Sequence, residues 1–355
     1  MPTDEPIRQA LSTVKYPGFS RDIMSFGLVK AIDIDGRNAV VRISLATRDP
    51  KVPEQIQRDA TAALARVEEF DRIELDFDLK EPQAAGPGPG ATMDGVGKAS
   101  IPGVKRVIAI ASGKGGVGKS TVAANLAVAL ARHGLKTGLC DCDLYGPSMG
   151  LMFGTGDERP LANDQEQILP LRRHGVKLIS MGFLLEDSSP VIVRGPIATR
   201  YTQQFLRQVA WDDLDVLVLD LPPGTGDIQL TIVQTVSLDG AIIVTTPQEV
   251  ALIDARKASS MFNKVNVPVL GLIENMSWFD CPSDGTRYHL FGEGGGAREA
   301  ARLGVPLLAQ VPIEMPIREA GDAGHPVALL PPDESGVSAA FHDAARSLAV
   351  AVGLD

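Results

Sequence analysis

Residues 106–121 read Arg-Val-Ile-Ala-Ile-Ala-Ser-Gly-Lys-Gly-Gly-Val-Gly-Lys-Ser-Thr, and they predict a strand, a loop and a helix in that order. The run Val107–Ala111 is continuously apolar, which is typical of a strand buried on both faces of a parallel sheet. Glycines at positions 113, 115, 116 and 118 follow, and without a Cβ they let backbone N–H groups turn inward on an anion. The predicted helix opens at Ser120 and ends at Gly134, so its N-terminus faces that anion.

The spacing Gly113-x-x-x-x-Gly118-Lys119-Ser120 is that of a complete P-loop. In this motif the lysine reaches the β- and γ-phosphates, and the serine hydroxyl binds Mg²⁺. The stretch therefore predicts a site for ATP and Mg²⁺. The loop residues expected to bind ATP are Gly113, Lys114, Gly115, Gly116, Val117, Gly118, Lys119, Ser120 and Thr121.

The composition narrows the class of protein. With 355 residues, 44% of them hydrophobic, the chain is expected to be globular and to form two domains. A net charge of −10 argues against a nucleic-acid partner, which favours a basic face. The N-terminus lacks a signal-peptide pattern, and no apolar run has membrane-spanning length. Three cysteines suit a reducing compartment, so we expect a cytoplasmic protein that binds neither membranes nor nucleic acid.

Three regions are predicted along the chain. Residues 1–78 have the pattern of a small α+β domain, in which Asp35-Gly36 joins two strands as a hairpin. Residues 79–103 are rich in proline and glycine and are expected to form a flexible linker. In residues 104–355 apolar strands alternate with amphipathic helices, and the strands are predicted at residues 137–140, 176–180, 216–219, 241–245, 269–273 and 307–311. This alternation predicts an α/β fold with a doubly wound, mainly parallel sheet, whose ligands bind at the carboxyl ends of the strands.

Two further segments place carboxylates at the ends of predicted strands. Asp141 and Asp143 are two residues apart, so their side chains project to one side and can address a metal and a water molecule. Asp220 ends another apolar run in the Walker B position, where a carboxylate holds Mg²⁺ through water. Residues 222–227, Pro-Pro-Gly-Thr-Gly-Asp, then form a loop that can sense the γ-phosphate.

A second lysine, Lys114, follows the first glycine of the loop and resembles the deviant Walker A motif of the MinD/ParA/nitrogenase-iron-protein class. The resemblance implies that Lys114 acts across a homodimer on the partner's nucleotide. It also implies that Lys114, Lys119 and Asp143 catalyse slow, Mg²⁺-dependent ATP hydrolysis, with Asp143 activating the water. The Mg²⁺ site implied by the motifs and the class consists of Ser120, Asp141 and Asp220.

Five segments resemble the Mrp/ApbC family of iron–sulfur cluster carriers: residues 113–121, 143–148, 222–227, 274–277 and 291–296. The match covers nearly the whole chain, and residues 1–78 resemble the SufT-like domain often fused in front of such ATPases. The resemblance implies a carrier that receives a cluster with assembly factors and delivers it to apo-proteins. It also implies that Asn275 and Pro312 border the adenine. Chemically, the Asn275 amide can pair with a base edge or cap a strand end.

The family's Cys-x-x-Cys motif is expected at 281–284, where this chain has Cys281-Pro-Ser-Asp284. Two chains with the full motif would supply four thiolates to a [4Fe–4S] cluster bridging two subunits, whereas two copies of this chain supply only Cys281 twice. Asp284 is a doubtful second ligand, because a carboxylate matches cluster iron poorly. His289 is another candidate substitute ligand, although a loop histidine that binds no metal is the more common case.

No cluster ligand is predicted at Cys140, at Cys142 or in the N-terminal domain. Cys140 and Cys142 alternate along a strand with the carboxylates and are expected to be small buried hydrophobic residues. Residues 46–53, Ala-Thr-Arg-Asp-Pro-Lys-Val-Pro, contain no cysteine where many relatives have one. A docking or structural role is therefore expected for the N-terminal domain.

Two other functions stay open at this point. A MinD/ParA-like ATPase switch or scaffold would need no cluster, although MinD-like membrane binding requires a basic amphipathic C-terminal helix that is not evident here. A nitrogenase-reductase-like electron carrier would present two well-separated cysteines per chain beside the nucleotide, which the cysteine distribution does not supply. A redox titration of any bound cluster separates the last possibility from the others.

Overall fold

The computed structural model of the chain describes residues 3–15, 17, 22–24, 28–46, 51–67, 69–80, 100–165, 167–184 and 206–354. Two compact units divide the chain, residues 1–96 and residues 97–355. Most of the predicted linker lies outside the described residues. Residues 47–50, part of the segment that lacks the cysteine of many relatives, lie outside them as well.

The first unit is a three-stranded sheet with two helices. In order, its elements are α1 (Glu5–Leu11), β1 (Val29–Asp35), β2 (Asn38–Ala46), α2 (Lys51–Leu64) and β3 (Arg72–Lys80). Strands β1 and β2 form the predicted antiparallel hairpin, turning at Gly36 with φ 63°, and β3 pairs parallel to β2. Alternate residues of β2 are buried because one face of the sheet packs on the helices. These buried residues are Ala39, Val41, Ile43 and Leu45.

The second unit contains the P-loop and a large sheet. Its strands are β4 (Val104–Ala111), β5 (Thr137–Asp141), β6 (Leu171–Arg173), β7 (Val176–Ser180), β8 (Leu214–Asp220), β9 (Gly240–Thr245), β10 (Val269–Asn275), β11 (Phe279–Asp280), β12 (Arg287–Tyr288) and β13 (Leu307–Val311). Its helices are α3 (Lys119–Arg132), α4 (Met149–Met152), α5 (Asp227–Thr235), α6 (Glu249–Lys264), α7 (Gly295–Leu303), α8 (Met315–Asp322) and α9 (Gly336–Ala351). Short 3₁₀ turns cover Met181–Leu184 and Val327–Leu329.

Eight strands form one sheet in the order β13-β10-β9-β4-β8-β5-β7-β6. Every neighbouring pair is parallel except β6 and β7, so the predicted doubly wound, mainly parallel fold is confirmed. The central strands are buried on both faces, as their uninterrupted apolar sequences require. Among the described helices, none has the length and apolar character needed to cross a membrane.

The register of the central strands gathers the sequence motifs at one edge. Asp220 at the end of β8 is paired with Ile110 of β4 on one side and with Asp141 of β5 on the other. The P-loop leaves β4 at this same edge. The topology therefore brings the P-loop and the two predicted metal carboxylates together at the carboxyl ends of the strands.

Candidate functional site

The P-loop depends on glycine at two positions with left-handed backbone, Gly116 at φ 81° and Gly118 at φ 80°. Gly118 is the N-cap of α3, and a Cβ there would clash with the amide nitrogen of Asn275. Gly113 is equally confined, because a Cβ at that position would overlap the backbone of Asp254 in α6. The loop is thus packed closely between α6 and the end of β10, in a conformation that side chains would prevent.

Three polar side chains converge where the P-loop meets β8. Lys119 Nζ lies 2.5 Å from Asp220 Oδ1, and the Ser120 hydroxyl donates to Asp220 Oδ2 at 2.6 Å. Lys119 Nζ is also 3.3 Å from the Ser120 hydroxyl oxygen. Lys119 and Asp220 are both buried, so the charges compensate each other in a region that water scarcely reaches.

Asp141 is a buried carboxylate that organises the following loop. Its Oδ2 accepts hydrogen bonds from the backbone N–H groups of Ser148 and Met149 and from the Ser180 hydroxyl, at 2.9–3.2 Å. Its Oδ1 accepts from the N–H of Asp143. Burial, and then the charge of Asp220, raise the pKa of Asp141 to about 7. Four hydrogen bonds to protein groups already engage this carboxylate, which favours a loop-anchoring role over the Mg²⁺ contact expected from the sequence.

Burial also raises the pKa of Asp220, while the neighbouring Lys119 ammonium acts in the opposite direction. The charge of Asp143 adds to the upward shift of the pKa of Asp220. Asp143 itself is partly exposed, and its Oδ1 accepts from the N–H groups of Tyr145 and Gly146 at 3.2 Å. A partly exposed carboxylate whose oxygen is held by backbone N–H groups can orient water.

Lys114 and the loop 222–227 lie around the same site. Lys114 is partly exposed, and its carbonyl oxygen accepts from the Ser112 hydroxyl at 2.9 Å. Gly224, at φ 92°, donates its N–H to the carbonyl oxygen of Ser112 at 3.0 Å. The P-loop and the loop after β8 therefore share Ser112 as a common support.

Cys140 and Cys142 point into the core, as strand alternation predicts. Both side chains are fully buried, and the two sulfur atoms are 3.7 Å apart. Burial raises the pKa of the Cys140 thiol well above its ordinary value. A protonated, inaccessible thiol is a packing group rather than a cluster ligand.

Asn275 at the end of β10 contacts the P-loop directly. Its side-chain nitrogen donates to the carbonyl oxygen of Val117 at 2.9 Å, and the residue is buried. Pro312, the other residue expected near the adenine, is buried between Val311 and Ile313 at the end of β13. The sequence did not predict that Asn275 supports the P-loop, because no residue near Asn275 in the sequence indicates which loop its side chain contacts.

The segment beyond β10 forms a small hairpin, β11–β12, that carries Cys281. The Cys281 sulfur is half-buried and lies 3.0 Å from the Ser283 hydroxyl oxygen. The backbone of Cys281 closes the turn, donating to Thr286 O and accepting from Gly285 N. Asp284 Oδ1 accepts from Thr286 N at 2.9 Å, and this bond, followed by one from Cys281, lowers the pKa of Asp284. The Asp284 carboxylate is thus committed to the turn.

Other charged groups stabilise the hairpin through contacts with one another and with Trp278. Arg287 forms two hydrogen bonds with Asp280, and its guanidinium stacks 4.3 Å from the ring centre of Trp278. His289 turns to the carbonyl oxygen of Ser277 at 3.4 Å and to Glu293, not to Cys281. Among the described residues, no three His, Cys, Asp or Glu side chains of one chain are arranged to hold a metal ion.

A buried acid that sequence reasoning passed over, Glu274, fixes the glycine-rich segment 291–296. Its carboxylate accepts from the backbone N–H of Gly296 at the start of α7 and from the Gln310 side chain. The carboxylate also occupies the space that a Cβ on Gly296 would need. An acid at the end of an otherwise apolar strand was the available signal. The segment is therefore anchored by Glu274.

Comparison with known proteins identifies the fold and the family. Residues 103–349 match the family described as NUBPL iron-transfer P-loop NTPase, and residues 4–76 match that of an iron-sulfur cluster assembly protein. An iron-sulfur cluster carrier protein from Deinococcus radiodurans is 42% identical over 346 residues, which cover 98% of this chain and 95% of the relative.

Two solved structures are similar to a large part of this chain. A nucleotide-binding protein from Archaeoglobus fulgidus, in complex with ADP, is 39% identical with a TM-score of 0.58, over 64% of this chain and 90% of that one. The cell division ATPase MinD from Pyrococcus furiosus is 26% identical with a TM-score of 0.53, over 68% of this chain and 98% of that one. Together with the P-loop geometry, these similarities show that the chain belongs to the NUBPL iron-transfer P-loop NTPase family.

Proposed function

We propose that this protein is an Mg²⁺-dependent ATPase that carries an iron–sulfur cluster between two copies of the chain and transfers it to apo-proteins. The observation that carries the proposal is the path of β10. This strand contacts the P-loop through Asn275, and six residues later the chain presents the half-buried thiol of Cys281. A nucleotide site and a soft metal ligand are thereby built on one continuous segment.

The nucleotide half of the proposal rests on Lys119, Ser120 and Asp220. The hydroxyl and carboxylate oxygens of Ser120 and Asp220 converge at 2.6 Å, a hard-oxygen donor pair of the kind that Mg²⁺ prefers. Bound there, Mg²⁺ would neutralise phosphate charge. Lys119 would exchange its carboxylate partner for the β- and γ-phosphates. The ADP bound to the Archaeoglobus fulgidus relative supports an adenine nucleotide as the ligand.

Hydrolysis is assigned to Asp143 and Lys114. Two backbone N–H groups donate to one carboxylate oxygen of Asp143 and so restrict the side chain. The carboxylate would lie at the rim of the site and orient water. Lys114 is proposed to stabilise the transition state in the partner's site, so turnover requires a homodimer and is slow. Asn275 and Pro312 are proposed to border the adenine, and Asp141 to hold the loop that carries Asp143.

The cluster is assigned to Cys281. A two-fold dimer would bring the same thiolate from each chain to one point, because an isologous interface repeats each ligand. Asp284 already serves the turn, so the other cluster ligands are proposed to come from small thiols or from the client protein. With two protein thiolates instead of four, a bridging [4Fe–4S] cluster would be bound more weakly than in relatives with both cysteines.

The surrounding biology follows from the same assignment. Recipients are apo-proteins with thiolate ligands that outcompete the weakly held cluster, and assembly factors supply the cluster. Residues 1–78 are proposed to dock such partners, with residues 79–103 as a linker and residues 104–355 as the ATPase domain. The free thiols suit a reducing compartment, and we propose that the protein acts in the cytoplasm.

Cluster transfer tests this function. Protein reconstituted anaerobically with iron and sulfide is mixed with an apo-enzyme that needs a [4Fe–4S] cluster, and recovery of that enzyme's activity is followed with and without Mg²⁺-ATP. Recovery is expected to be faster than with equal free iron and sulfide, even in the presence of an iron chelator. Recovery that the chelator abolishes completely would contradict the carrier function.

A second function, an ATPase switch without a cluster, is favoured by one observation. Asp284 replaces the second thiolate and is bound within its own turn, which leaves a single soft ligand per chain. ATP hydrolysis that increases with dimerisation, combined with no iron uptake on reconstitution, would select this alternative.

A further inference from the structure

Met276 has backbone geometry that is unusual for its type. Its φ is 59°, in the left-handed region that residues other than glycine, asparagine and aspartate rarely adopt. Such geometry persists only where the surrounding structure enforces it. Met276 lies between Asn275, which contacts the P-loop, and the hairpin that carries Cys281.

The left-handed backbone of Met276 directs the side chains of Asn275 and Met276 to the same neighbour, Gly118. In a regular strand, successive side chains point to opposite faces of the sheet. Here both side chains reach Gly118. A Cβ built on Gly118 would clash with the Asn275 amide nitrogen and would lie 4.0 Å from the terminal methyl of Met276. The turn at Met276 therefore directs both side chains to the start of α3.

Past Met276, the chain is fixed again at once. Ser277 donates its N–H to Val311 O at 3.0 Å, and Ile313 donates to Trp278 O at 2.7 Å. The Ser277 hydroxyl also donates to Glu274 O at 3.0 Å. Met276 is thus the single left-handed residue in a segment held on both sides, and the hairpin begins three residues later at Phe279.

The peptide unit that Asn275 holds belongs to the P-loop itself. Val117 O and Gly118 N belong to one peptide group, whose carbonyl accepts from Asn275. In a P-loop the N–H groups of this region bind phosphate. A phosphate on the N–H polarises the peptide and strengthens the hydrogen bond at its carbonyl.

We propose that Met276 is a positioning residue, whose left-handed backbone transmits the occupancy of the P-loop to the Cys281 hairpin. The inference rests on the proposed function for its biological meaning, since Cys281 is there the cluster ligand. Occupancy of the P-loop tightens Asn275 on Val117, and the constrained turn at Met276 holds the hairpin in one position. By reciprocity, a ligand on Cys281 changes the affinity for nucleotide by the same factor.

Alkylation of Cys281 measures this coupling in the full-length protein without iron. Reduced protein is treated with iodoacetamide with and without saturating Mg²⁺-ADP, and mass spectrometry follows the peptide that contains Cys281. Mg²⁺-ADP is expected to slow alkylation about fivefold, within the usual range of coupling between sites. The peptide with the buried Cys140 and Cys142 reports global unfolding in the same sample.

Three variants separate the backbone role from general damage. Met276→Gly frees the turn and is expected to bring the ratio of the two alkylation rates to about one while Mg²⁺-ADP still binds. Met276→Asn accepts a left-handed backbone and is expected to keep the wild-type ratio. Asn266, which precedes β10, also has a left-handed backbone, with φ 54°. Asn266→Gly is therefore the matched control and is expected to keep the wild-type ratio.

Either of two results would overturn the proposal: a wild-type rate that Mg²⁺-ADP leaves unchanged, or a Met276→Gly protein that keeps the full ratio. A Met276→Asn protein that loses the ratio would equally refute a backbone role. Iron uptake is measured separately on the same preparations. Normal uptake with no coupling refutes only the role of Met276, whereas intact coupling with no uptake refutes only the carrier function.

Discussion

Lys119 Nζ lies 2.5 Å from Asp220 Oδ1, and the two side chains are only 6% and 0% exposed. A charge pair so thoroughly removed from water is stable only while both partners are present. Under the proposed function, the triphosphate would compete for Lys119 and Mg²⁺ would compete for Asp220. Binding of Mg²⁺-nucleotide would therefore replace the Lys119–Asp220 pair by two pairs, Lys119 with phosphate and Asp220 with Mg²⁺. Binding of the metal and binding of the phosphates would then depend on each other.

Lys119→Ala is expected to destabilise the protein as well as abolish productive nucleotide binding. Removing the ammonium leaves Asp220 buried without its counter-charge, at a cost of about 3 kcal/mol in the free energy of unfolding. Urea unfolding measures the stability, and calorimetric titration measures the affinity for Mg²⁺-ADP. The double variant Lys119→Ala/Asp220→Asn should recover part of the stability but none of the affinity. Unchanged affinity in Lys119→Ala would remove the assigned role.

Lys114→Ala and Asp143→Asn are expected to bind ATP within about twofold of wild type and to lose hydrolysis by about 100-fold, the pattern of groups that act in the transition state. Both side chains are partly exposed, so neither change should cost much stability. Phosphate release, measured over a range of protein concentrations, reports turnover and its dependence on dimerisation. If Lys114→Ala lost ATP binding as completely as Lys119→Ala, the action of Lys114 across the dimer would be excluded.

Gly118→Ala and Gly116→Ala form a matched pair. Both glycines have φ near 80°, so alanine costs about 1–2 kcal/mol of backbone strain at each position. A Cβ on Gly116 would lie in open space, whereas a Cβ on Gly118 would meet the Asn275 amide. Gly118→Ala should therefore lower the free energy of unfolding more than Gly116→Ala, as measured in urea. Equal losses would mean that Asn275 moves aside freely.

His342 predicts a loss of stability in mild acid. Burial lowers the pKa of His342, and the neighbouring His133, Arg132 and Arg346 act in the same direction, against a hydrogen bond with Ala328 O. As pH falls below the ordinary histidine pKa of about 6.5, the unfolded chain takes up the proton first and the folded state loses stability.

Urea unfolding at pH 7.5 and pH 5.5 measures this effect. His342→Gln is expected to lose less stability between the two pH values than wild type, because its side chain has no proton to gain. The effect of titrating groups that do not contact His342 cancels in the comparison, whereas His133, whose Nε2 lies 3.2 Å from His342 Nδ1, belongs to the pair that is measured. An identical loss in both proteins would show that His342 is not responsible.

The sequence was sufficient for the architecture because each signal was local. Continuous apolar runs predicted Val176–Ser180 and Leu307–Val311 with the bounds that the structure gives. Other strands extend one to three residues beyond their predicted ends, as β8 does to include Asp220, because pairing with neighbours continues past the apolar run. The two-residue strands of the Cys281 hairpin were not predicted, since such short pairs have no periodicity.

The site was only partly predictable, because its contacts join distant parts of the chain. The P-loop spacing predicted roles for Lys119 and Ser120, but their contact with Asp220 depends on the order of strands β4 and β8. Asn275 meets Val117 across 158 positions of sequence, and no local pattern encodes that distance. The left-handed backbone of Met276 was also invisible, since methionine carries no signal for it.

The central claim, that Cys281 holds a cluster for delivery, is tested most directly by iron content after anaerobic reconstitution. Wild type is expected to retain about four iron atoms per two chains after desalting, with a cluster absorption spectrum, whereas Cys281→Ser retains almost none and still binds Mg²⁺-ADP. Cys140→Ser is the matched control and should retain the wild-type amount, because its thiol is buried in the core. Full iron retention by Cys281→Ser would contradict the account.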